Sequence, residues 1–189
     1  ASGAGALTLE SLESALARNA TIYAEVLGGH VNSGGQRGGG TLTAPNSVAV
    51  SRCIQQALQQ AQLPPSAVDL IDGHLTATSK DPDEVSAWCD ALGRRGNDFP
   101  YINSLKSMVG HCLSAAGSVE CVASVLELHH GFIYPSINSE TIHPEIASLI
   151  DSDKIPQQLI QKDIQVIAKA NFGFGDVNAC AILKKFNLE

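Results

Sequence analysis

The sequence predicts an α/β fold in which helices cover a mixed, mainly parallel sheet. Short apolar segments rich in β-branched residues alternate with segments whose apolar residues recur at helical spacing. Hydrophobic residues make up 44% of the 189 residues and charged residues 16%, which supplies enough apolar side chains for a buried core. The last two apolar segments are separated by a short turn, which predicts an antiparallel hairpin at the end of the sheet.

The first third of the chain contains two predicted strands and two predicted helices. The small and apolar residues from Gly3 to Leu9 predict a strand, and a short helix follows to about Ala17. The segment TIYAEVLGGHVNS predicts the second strand. The next segment, GGQRGGGTLTAPNS, lacks the glycine spacing of nucleotide-binding loops, so we interpret it as a flexible loop. The helix PNSVAVSRCIQQALQQAQLP follows, with Pro45 in its first turn.

The remaining elements alternate in the same way. A buried strand over Val68 to Ile71 leads to His74, and DPDEVSAWCDALGRR predicts a helix with acids first and arginines last. A strand from Tyr101 to Asn103 precedes a long, nearly uncharged helix with His111 at its start. After an irregular, proline-rich stretch, the hairpin strands run from about Ile164 to Ala170 and from Asn178 to Phe186. Neither an internal repeat nor a linker divides the chain, so we predict one domain over residues 1–189.

Composition excludes several classes of function. The net charge of -7 and the absence of a basic cluster exclude nucleic acid as a partner. No apolar run approaches the roughly 18 residues of a membrane span, and the first residues lack the layout of a signal peptide. The five cysteines show no CxxC pair, which indicates neither a disulfide framework nor a zinc site. A reducing cytoplasm is the expected location.

Three loops bring polar or aromatic residues to the ends of predicted strands. His74 follows one strand, Lys106 and His111 follow the next, and the turn from Phe172 to Gly175 follows the strand that ends at Ala170. Taken singly, each residue has a structural explanation as a helix cap, a solvated loop residue, a surface lysine or a core aromatic. Because sites in α/β sheets gather where strands end, we expect the three loops to converge on one cavity.

Three motifs in order resemble those of one family. KSMVGHCLSAAGSVE resembles the lysine-and-histidine motif of β-ketoacyl-acyl-carrier-protein synthases, the condensing enzymes of the thiolase superfamily. DGHLTATSKDPDE resembles their His-Gly-Thr-x-Thr-Pro-x-Gly-Asp motif, and NFGFGDVN resembles their Phe-Gly-Phe-Gly-Gly-Thr-Asn turn. The likeness covers the whole chain but only the C-terminal half of such an enzyme. It implies a thiolase-like half-fold.

The resemblance also implies roles for individual residues. His74 and His111 match the pair that hydrogen-bonds the malonyl thioester carbonyl, Lys106 matches the lysine that holds this network, and the buried Glu120 balances it. Thr76 and Thr78 match the threonines that hydrogen-bond the phosphopantetheine arm. Phe174 matches a gate residue whose backbone N–H is an oxyanion donor. The turn residues Phe172, Gly173 and Gly175 match further substrate-binding positions.

The activity implied is decarboxylative Claisen condensation of malonyl carrier protein with an acyl thioester, in fatty acid or polyketide biosynthesis. The nucleophilic cysteine belongs to an N-terminal half that this chain does not contain, and Cys112 is not expected to replace it. No metal or diffusible cofactor is implied, because phosphopantetheine arrives on the acyl carrier protein. The implied partners are the N-terminal half, the carrier protein and a second synthase in a homodimer or heterodimer.

Some positions depart from the family pattern. Leu75 replaces a glycine, Ser79 a proline and Ser114 a glycine, and Asp176-Val177 replaces Gly-Thr beside the proposed oxyanion turn. These changes leave open a non-catalytic, chain-length-factor-like or carrier-docking partner of an active synthase. A thiolase-type enzyme acting on acyl-CoA is a third alternative, for which Cys180 lies too far along the chain.

Overall fold

The computed structural model describes residues 1–187. The helices are α1 (Leu12–Ala17), α2 (Ser47–Gln60), α3 (Asp81–Leu92), α4 (Lys106–Val109), α5 (Ala116–His130) and α6 (Pro144–Ala147). The strands are β1 (Glu25–Ser33), β2 (Leu70–Asp72), β3 (Tyr101–Asn103), β4 (Phe132–Ile133), β5 (Ile160–Gln161), β6 (Val166–Gly173) and β7 (Val177–Lys184). Short 3₁₀ turns cover Pro65–Ala67, Leu113–Ala115 and Ser152–Lys154. Within the described residues, no helix is both long and apolar enough to cross a membrane.

The main sheet is mixed, as predicted. Its strand order is β1-β7-β6-β2-β3, and β4 pairs separately with β5. The pairings of β2 with β3 and with β6 are parallel, whereas β7 is antiparallel to both β1 and β6. The hairpin of β6 and β7 therefore sits inside the sheet, and the parallel share is smaller than expected.

Both faces of the sheet are buried, and successive residues of β2, β6 and β7 belong alternately to two core clusters. Ile71, Ala168 and Ile182 belong to a core cluster that includes buried residues of α2 and α3. Leu70, Ile167 and Leu183 belong to a second cluster with Leu128 of α5 and Ile133 of β4. Side chains of a strand alternate between the two faces of a sheet, so the two clusters lie on opposite faces. Helices α2 and α3 cover one face, and α5 covers the other.

The predicted strand from Gly3 to Leu9 is wrong. These residues form no strand, and Leu9 is exposed. A Cβ atom at Gly5 would lie 2.6 Å from the backbone of Ser118, and one at Gly3 would lie 2.9 Å from Cys112 Sγ. The small residues therefore reflect close packing of the N-terminal segment against the start of α5.

Two predicted helix starts are also displaced. Pro45 lies outside α2, because Asn46 is the N-cap and its side chain accepts hydrogen bonds from the N–H groups of Val48 and Ala49. The helix expected to begin at His111 is interrupted. Gly110 ends α4 with φ of 75°, and α5 begins only at Ala116. His111 consequently lies in the connection between two helices.

Candidate active site

The carboxyl ends of three strands meet at one edge of the sheet. β2 and β3 run parallel to each other, and β6 runs parallel to β2. The loops that follow Asp72, Asn103 and Gly173 therefore leave the sheet on the same side. A cavity of about 290 Å³ opens there, and its lining includes His74, Thr76, Thr78, His111, Phe172 and Phe174.

The two histidines face each other in this cavity. Their ring centroids are 5.3 Å apart, and the rings are nearly perpendicular at 83°. His111 Nδ1 accepts a hydrogen bond from the backbone N–H of Leu113 at 3.0 Å, which places the ring hydrogen on Nε2. Burial first, and then the nearby charge of Lys106, lowers the pKa of both imidazoles, that of His74 to about 3. Both rings are therefore neutral hydrogen-bond donors at physiological pH.

Lys106 and Glu120 do not line the cavity but form a buried ion pair close to it. Lys106 Nζ lies 2.5 Å from Glu120 Oε1, and the two side chains are 5% and 2% exposed. The opposite charges offset the cost of burying each group. Lys106 thus connects the start of α4 to the second turn of α5.

Sequence reasoning missed two residues of β6, Lys169 and Asn171. Lys169 Nζ lies 2.7 Å from Glu120 Oε2. The amide of Asn171 lies between Glu120 Oε2, at 2.8 Å, and His74 Nδ1, at 3.3 Å. The signal was present: a lysine within the apolar strand VIAKANFG is buried only where a partner can neutralise it.

The threonine loop is organised by the first residue of α3. The carboxylate of Asp81 accepts hydrogen bonds from the N–H groups of Thr76 and Ala77, each at 3.0 Å. Ala77 has φ of 57°, and Thr76 Oγ1 lies 3.1 Å from Thr78 Oγ1. Two adjacent hydroxyl groups thereby line the cavity wall. Asp81 lies within the segment DGHLTATSKDPDE, but the resemblance implies no role for it.

Glu84, one turn further along α3, was also missed. Its Oε1 accepts the backbone N–H of His74 at 2.7 Å and the indole N–H of Trp88 at 3.4 Å. Burial raises the pKa of Glu84 to about 7. The carboxyl group therefore holds the start of the His74 loop and lines the same cavity.

The aromatic turn places its two phenylalanines differently. Phe172 lies within β6, is 5% exposed, and its ring centroid is 6.1 Å from that of His74. Phe174 is 70% exposed at the cavity mouth. Gly173 also lines the cavity, whereas the N–H of Gly175 donates to the carbonyl of Leu42 at 2.8 Å. The turn can therefore offer an exposed aromatic side chain beside the imidazoles.

Two departures from the family pattern leave the cavity clear. Asp176 is fully buried, and its carboxylate bonds the N–H groups of Gln36 and Asn46 in the glycine-rich loop. Leu75 packs against the core cluster of α2 and α3. Neither residue lines the cavity.

The cysteines are not placed for catalysis in this cavity, because none of the five lines it. Burial raises the pKa of Cys53 and Cys89 to about 11 and also raises the pKa of Cys121 and Cys180. A nucleophilic thiolate at these four positions is therefore disfavoured at neutral pH.

Residues 23–140 match the family model of the β-ketoacyl synthase C-terminal domain. The chain belongs to the β-ketoacyl synthase family. A chloroplastic 3-oxoacyl-[acyl-carrier-protein] synthase I of Arabidopsis thaliana is 37% identical over 187 residues, which cover 97% of this chain and 37% of that relative. This synthase chain thus spans about two fifths of such a relative's length.

Solved structures agree with the family and with the thiolase-like fold of ketosynthases. The ishigamide ketosynthase/chain length factor matches with a TM-score of 0.84 and 34% identity, over 94% of this chain and 42% of that one. A type II polyketide ketosynthase, in complex with its acyl-carrier protein and bound to the hexaketide, matches with a TM-score of 0.83 and 34% identity, over the same shares. The predicted family and fold class are confirmed.

Proposed function

We propose that this chain is the histidine-bearing half of a 3-oxoacyl-[acyl-carrier-protein] synthase, an acyltransferase of fatty acid or polyketide biosynthesis. One observation carries the proposal: two neutral imidazoles lie 5.3 Å apart, centroid to centroid, in one cavity that Phe172 and the exposed Phe174 also line. The Arabidopsis relative carries that enzyme's name.

The proposed reaction joins a malonyl thioester to an acyl group held on a cysteine. The bond between the malonyl carboxylate and its α-carbon breaks, CO₂ leaves, and the electron pair forms an enolate on the thioester. The enolate carbon then attacks the acyl thioester, and the cysteine thiolate leaves. His74 and His111 donate hydrogen bonds to the thioester oxygen as it gains negative charge, which stabilises the enolate.

The surrounding residues support this chemistry. The hydroxyl groups of Thr76 and Thr78 would bind the phosphopantetheine arm, because they line the wall that leads to the histidines. The N–H of Phe174 would serve as a donor for the oxygen of the acyl intermediate, with Phe172, Gly173 and Gly175 shaping the turn. Lys106 and Glu120 would hold the network from behind. The reaction needs neither a metal nor a diffusible cofactor.

The nucleophile and the partners complete the proposal. The cysteine would come from the half of the synthase that precedes this chain, because none of the cysteines here lines the cavity. The carrier protein and a second synthase subunit would bind the assembled enzyme, as the ketosynthase solved with its acyl-carrier protein suggests. The cytoplasm is the proposed location, although the Arabidopsis relative is named chloroplastic.

The decisive experiment measures CO₂ release from malonyl carrier protein by this chain assembled with its cysteine-bearing half. Removing one oxyanion donor typically slows such steps about 100- to 1,000-fold, so His111→Ala and His74→Ala should each do so. His130→Ala, on the exposed end of α5, is the control. Full condensation by His111→Ala would overturn the assignment. A cerulenin-type electrophile should label a cysteine outside this chain.

A chain-length-factor-like partner is the second candidate, favoured by the match to the ishigamide ketosynthase/chain length factor. The paired histidines weigh against it, since a docking partner needs no donors for an enolate. This second candidate predicts that the assembled protein binds the carrier protein but releases no CO₂ in any assembly. The CO₂ assay detects that absence of release.

A further inference from the structure

The fold buries a second lysine behind the histidines. Lys169 is 2% exposed, and its ammonium donates to the carbonyl oxygens of Ala170, at 2.7 Å, and Asp72, at 3.4 Å. Its Nζ also lies 2.7 Å from Glu120 Oε2 and 3.9 Å from Asp72 Oδ1. A buried ammonium is costly unless carboxylates and acceptors surround it, and this one has both. Lys169 is thus an integral part of the polar network.

Glu120 lies between two ammonium groups. One oxygen contacts Lys106 at 2.5 Å and the other contacts Lys169 at 2.7 Å. Burial opposes ionisation of Glu120, but the charges of Lys169 and then Lys106 outweigh it and lower the pKa of the carboxyl. An ionised carboxylate can only accept hydrogen bonds.

This restriction fixes the amide of Asn171. Its nitrogen lies 2.8 Å from Glu120 Oε2, so the NH₂ end, and not the carbonyl oxygen, must face the carboxylate. The same nitrogen lies 3.3 Å from His74 Nδ1 and has a second hydrogen to donate. His74 Nδ1 then accepts, and the ring hydrogen is placed on Nε2.

We propose that Lys169, Glu120 and Asn171 form a positioning chain that fixes His74 in the Nε2–H tautomer. The inference rests on the proposed function for its consequence, because a single Nε2–H donor directed into the cavity is what an enolate oxygen requires. Leu113 does the same for His111 through its backbone N–H. Lys169 and Asn171 act through other side chains and do not line the cavity, so they are positioning residues.

The primary test is nitrogen NMR of the protein with ¹⁵N-labelled histidine, where the His74 signals are those lost in His74→Ala. The imidazole shifts report which ring nitrogen carries the hydrogen. Wild type should show Nε2 protonated and Nδ1 free. A His74 signal from the Nδ1–H tautomer in the wild-type protein would overturn the inference, whatever the variants do.

Two variants interrupt the positioning chain of side chains at different residues. Asn171→Leu, of similar size, loses the donor to Nδ1, and Lys169→Met loses the ammonium that helps to keep Glu120 ionised. Both should convert the His74 signals into a mixture of tautomers, whereas Asn171→Ser should retain part of the Nε2–H signal through its hydroxyl donor. Lys185→Met, on the surface ion pair with Asp163, is the matched control and should leave the spectrum unchanged.

Kinetics in the assembled synthase separate this inference from the proposed function. Asn171→Leu should lower the kcat of CO₂ release roughly 10- to 100-fold, the range typical of hydrogen-bond partners that orient metal-binding histidines, with KM unchanged. Unchanged tautomers and unchanged kcat in Asn171→Leu would refute the positioning chain while leaving the synthase activity intact. The predicted tautomers without any CO₂ release in wild type would refute only the proposed function.

Discussion

The carboxylate of Asp176 accepts a hydrogen bond from the backbone N–H of Asn46 at 2.8 Å, across 130 positions of the sequence. Its other oxygen accepts the N–H of Gln36 at 3.0 Å. The residue that departs from the family's turn therefore anchors the glycine-rich loop to the end of β6. Two of the loop's glycines, Gly34 and Gly40, permit this close approach, because a Cβ atom at either would lie within 2.5 Å of Asp176 Oδ2.

Gly34 and Asp176 should be energetically coupled. A Cβ atom at Gly34 would lie 2.0 Å from Asp176 Oδ2, so Gly34→Ala should destabilise the protein by about 1–3 kcal/mol through overpacking. Asp176→Gly removes the carboxylate and also relieves a φ of 62°, so Gly34→Ala should cost much less in the double mutant. Urea unfolding of the four proteins measures the coupling, and additive free energies would contradict it.

The sequence predicted the convergence of the three loops because that relationship depends only on strand direction. Parallel strands send their carboxyl ends to one edge, so His74, Lys106, His111 and the aromatic turn could be placed together without coordinates. The small residues near Gly5 could not be interpreted in the same way. Close packing against α5 and pairing in a sheet both favour small residues, and composition does not separate them.

The roles of Lys169 and Asp176 depend on contacts between distant segments. Periodicity identifies a strand containing Lys169, but its pairing with Glu120 requires α5 to cross the sheet at that point. The anchoring role of Asp176 could not be predicted, because its partners, Gln36 and Asn46, lie in the first quarter of the chain. Contacts between such distant side chains depend on tertiary packing, which local sequence patterns do not encode.

Phe172 and Phe174 should respond oppositely to the same substitution. Phe172 is 5% exposed, so Phe172→Ala should cost about 3–5 kcal/mol of unfolding free energy. Phe174 is 70% exposed, so Phe174→Ala should leave the thermal midpoint unchanged while slowing condensation in the assembled synthase. Thermal unfolding and product formation measure the two effects. A large loss of stability in Phe174→Ala would show that its side chain is a core residue.

Glu120→Gln should be strongly destabilising. The substitution leaves the ammonium groups of Lys106 and Lys169 buried without the carboxylate between them, and breaking a buried ion pair costs about 3–5 kcal/mol. Glu10→Gln breaks the exposed pair with Arg18 and is the matched control, which should unfold at the wild-type urea concentration. Equal midpoints for the two variants would mean that Glu120 is not held as an ion.

Glu84→Gln should change how stability depends on pH. Burial raises the pKa of Glu84 from its ordinary value of 4.5 to about 7, so between these values the folded state holds more protons than the unfolded state. The contribution of Glu84 to stability therefore declines as pH rises from 4.5 to 7. Glutamine keeps an oxygen for the N–H of His74, and the variant should gain stability relative to wild type across this window. Asp83→Asn, exposed on the same helix, is the control in urea unfolding from pH 4.5 to 8.

His74 should affect the pH dependence of stability in the opposite direction to Glu84. Burial, and then the charges of Lys106 and Lys169, lowers the pKa of His74 from 6.5 to about 3. Between these values the unfolded state binds the proton that the folded state refuses, so stability is lost as pH falls below 6.5. One proton contributes at most about 1.4 kcal/mol per pH unit, and less here because the ring is partly exposed.

Comparing His74→Gln with wild type separates the effect of His74 titration on the unfolding free energy from that of the carboxylates that titrate in the same pH range. The difference in unfolding free energy between the two proteins should shrink steadily from pH 6.5 to pH 4, as wild type loses the advantage it has at neutral pH. His130→Gln, at the exposed end of α5, should run parallel to wild type over the same range. A constant difference for His74→Gln would mean that His74 accepts its proton as readily in the fold as in the unfolded chain. Such an imidazole would be charged in mild acid, and the cavity would no longer present two neutral donors.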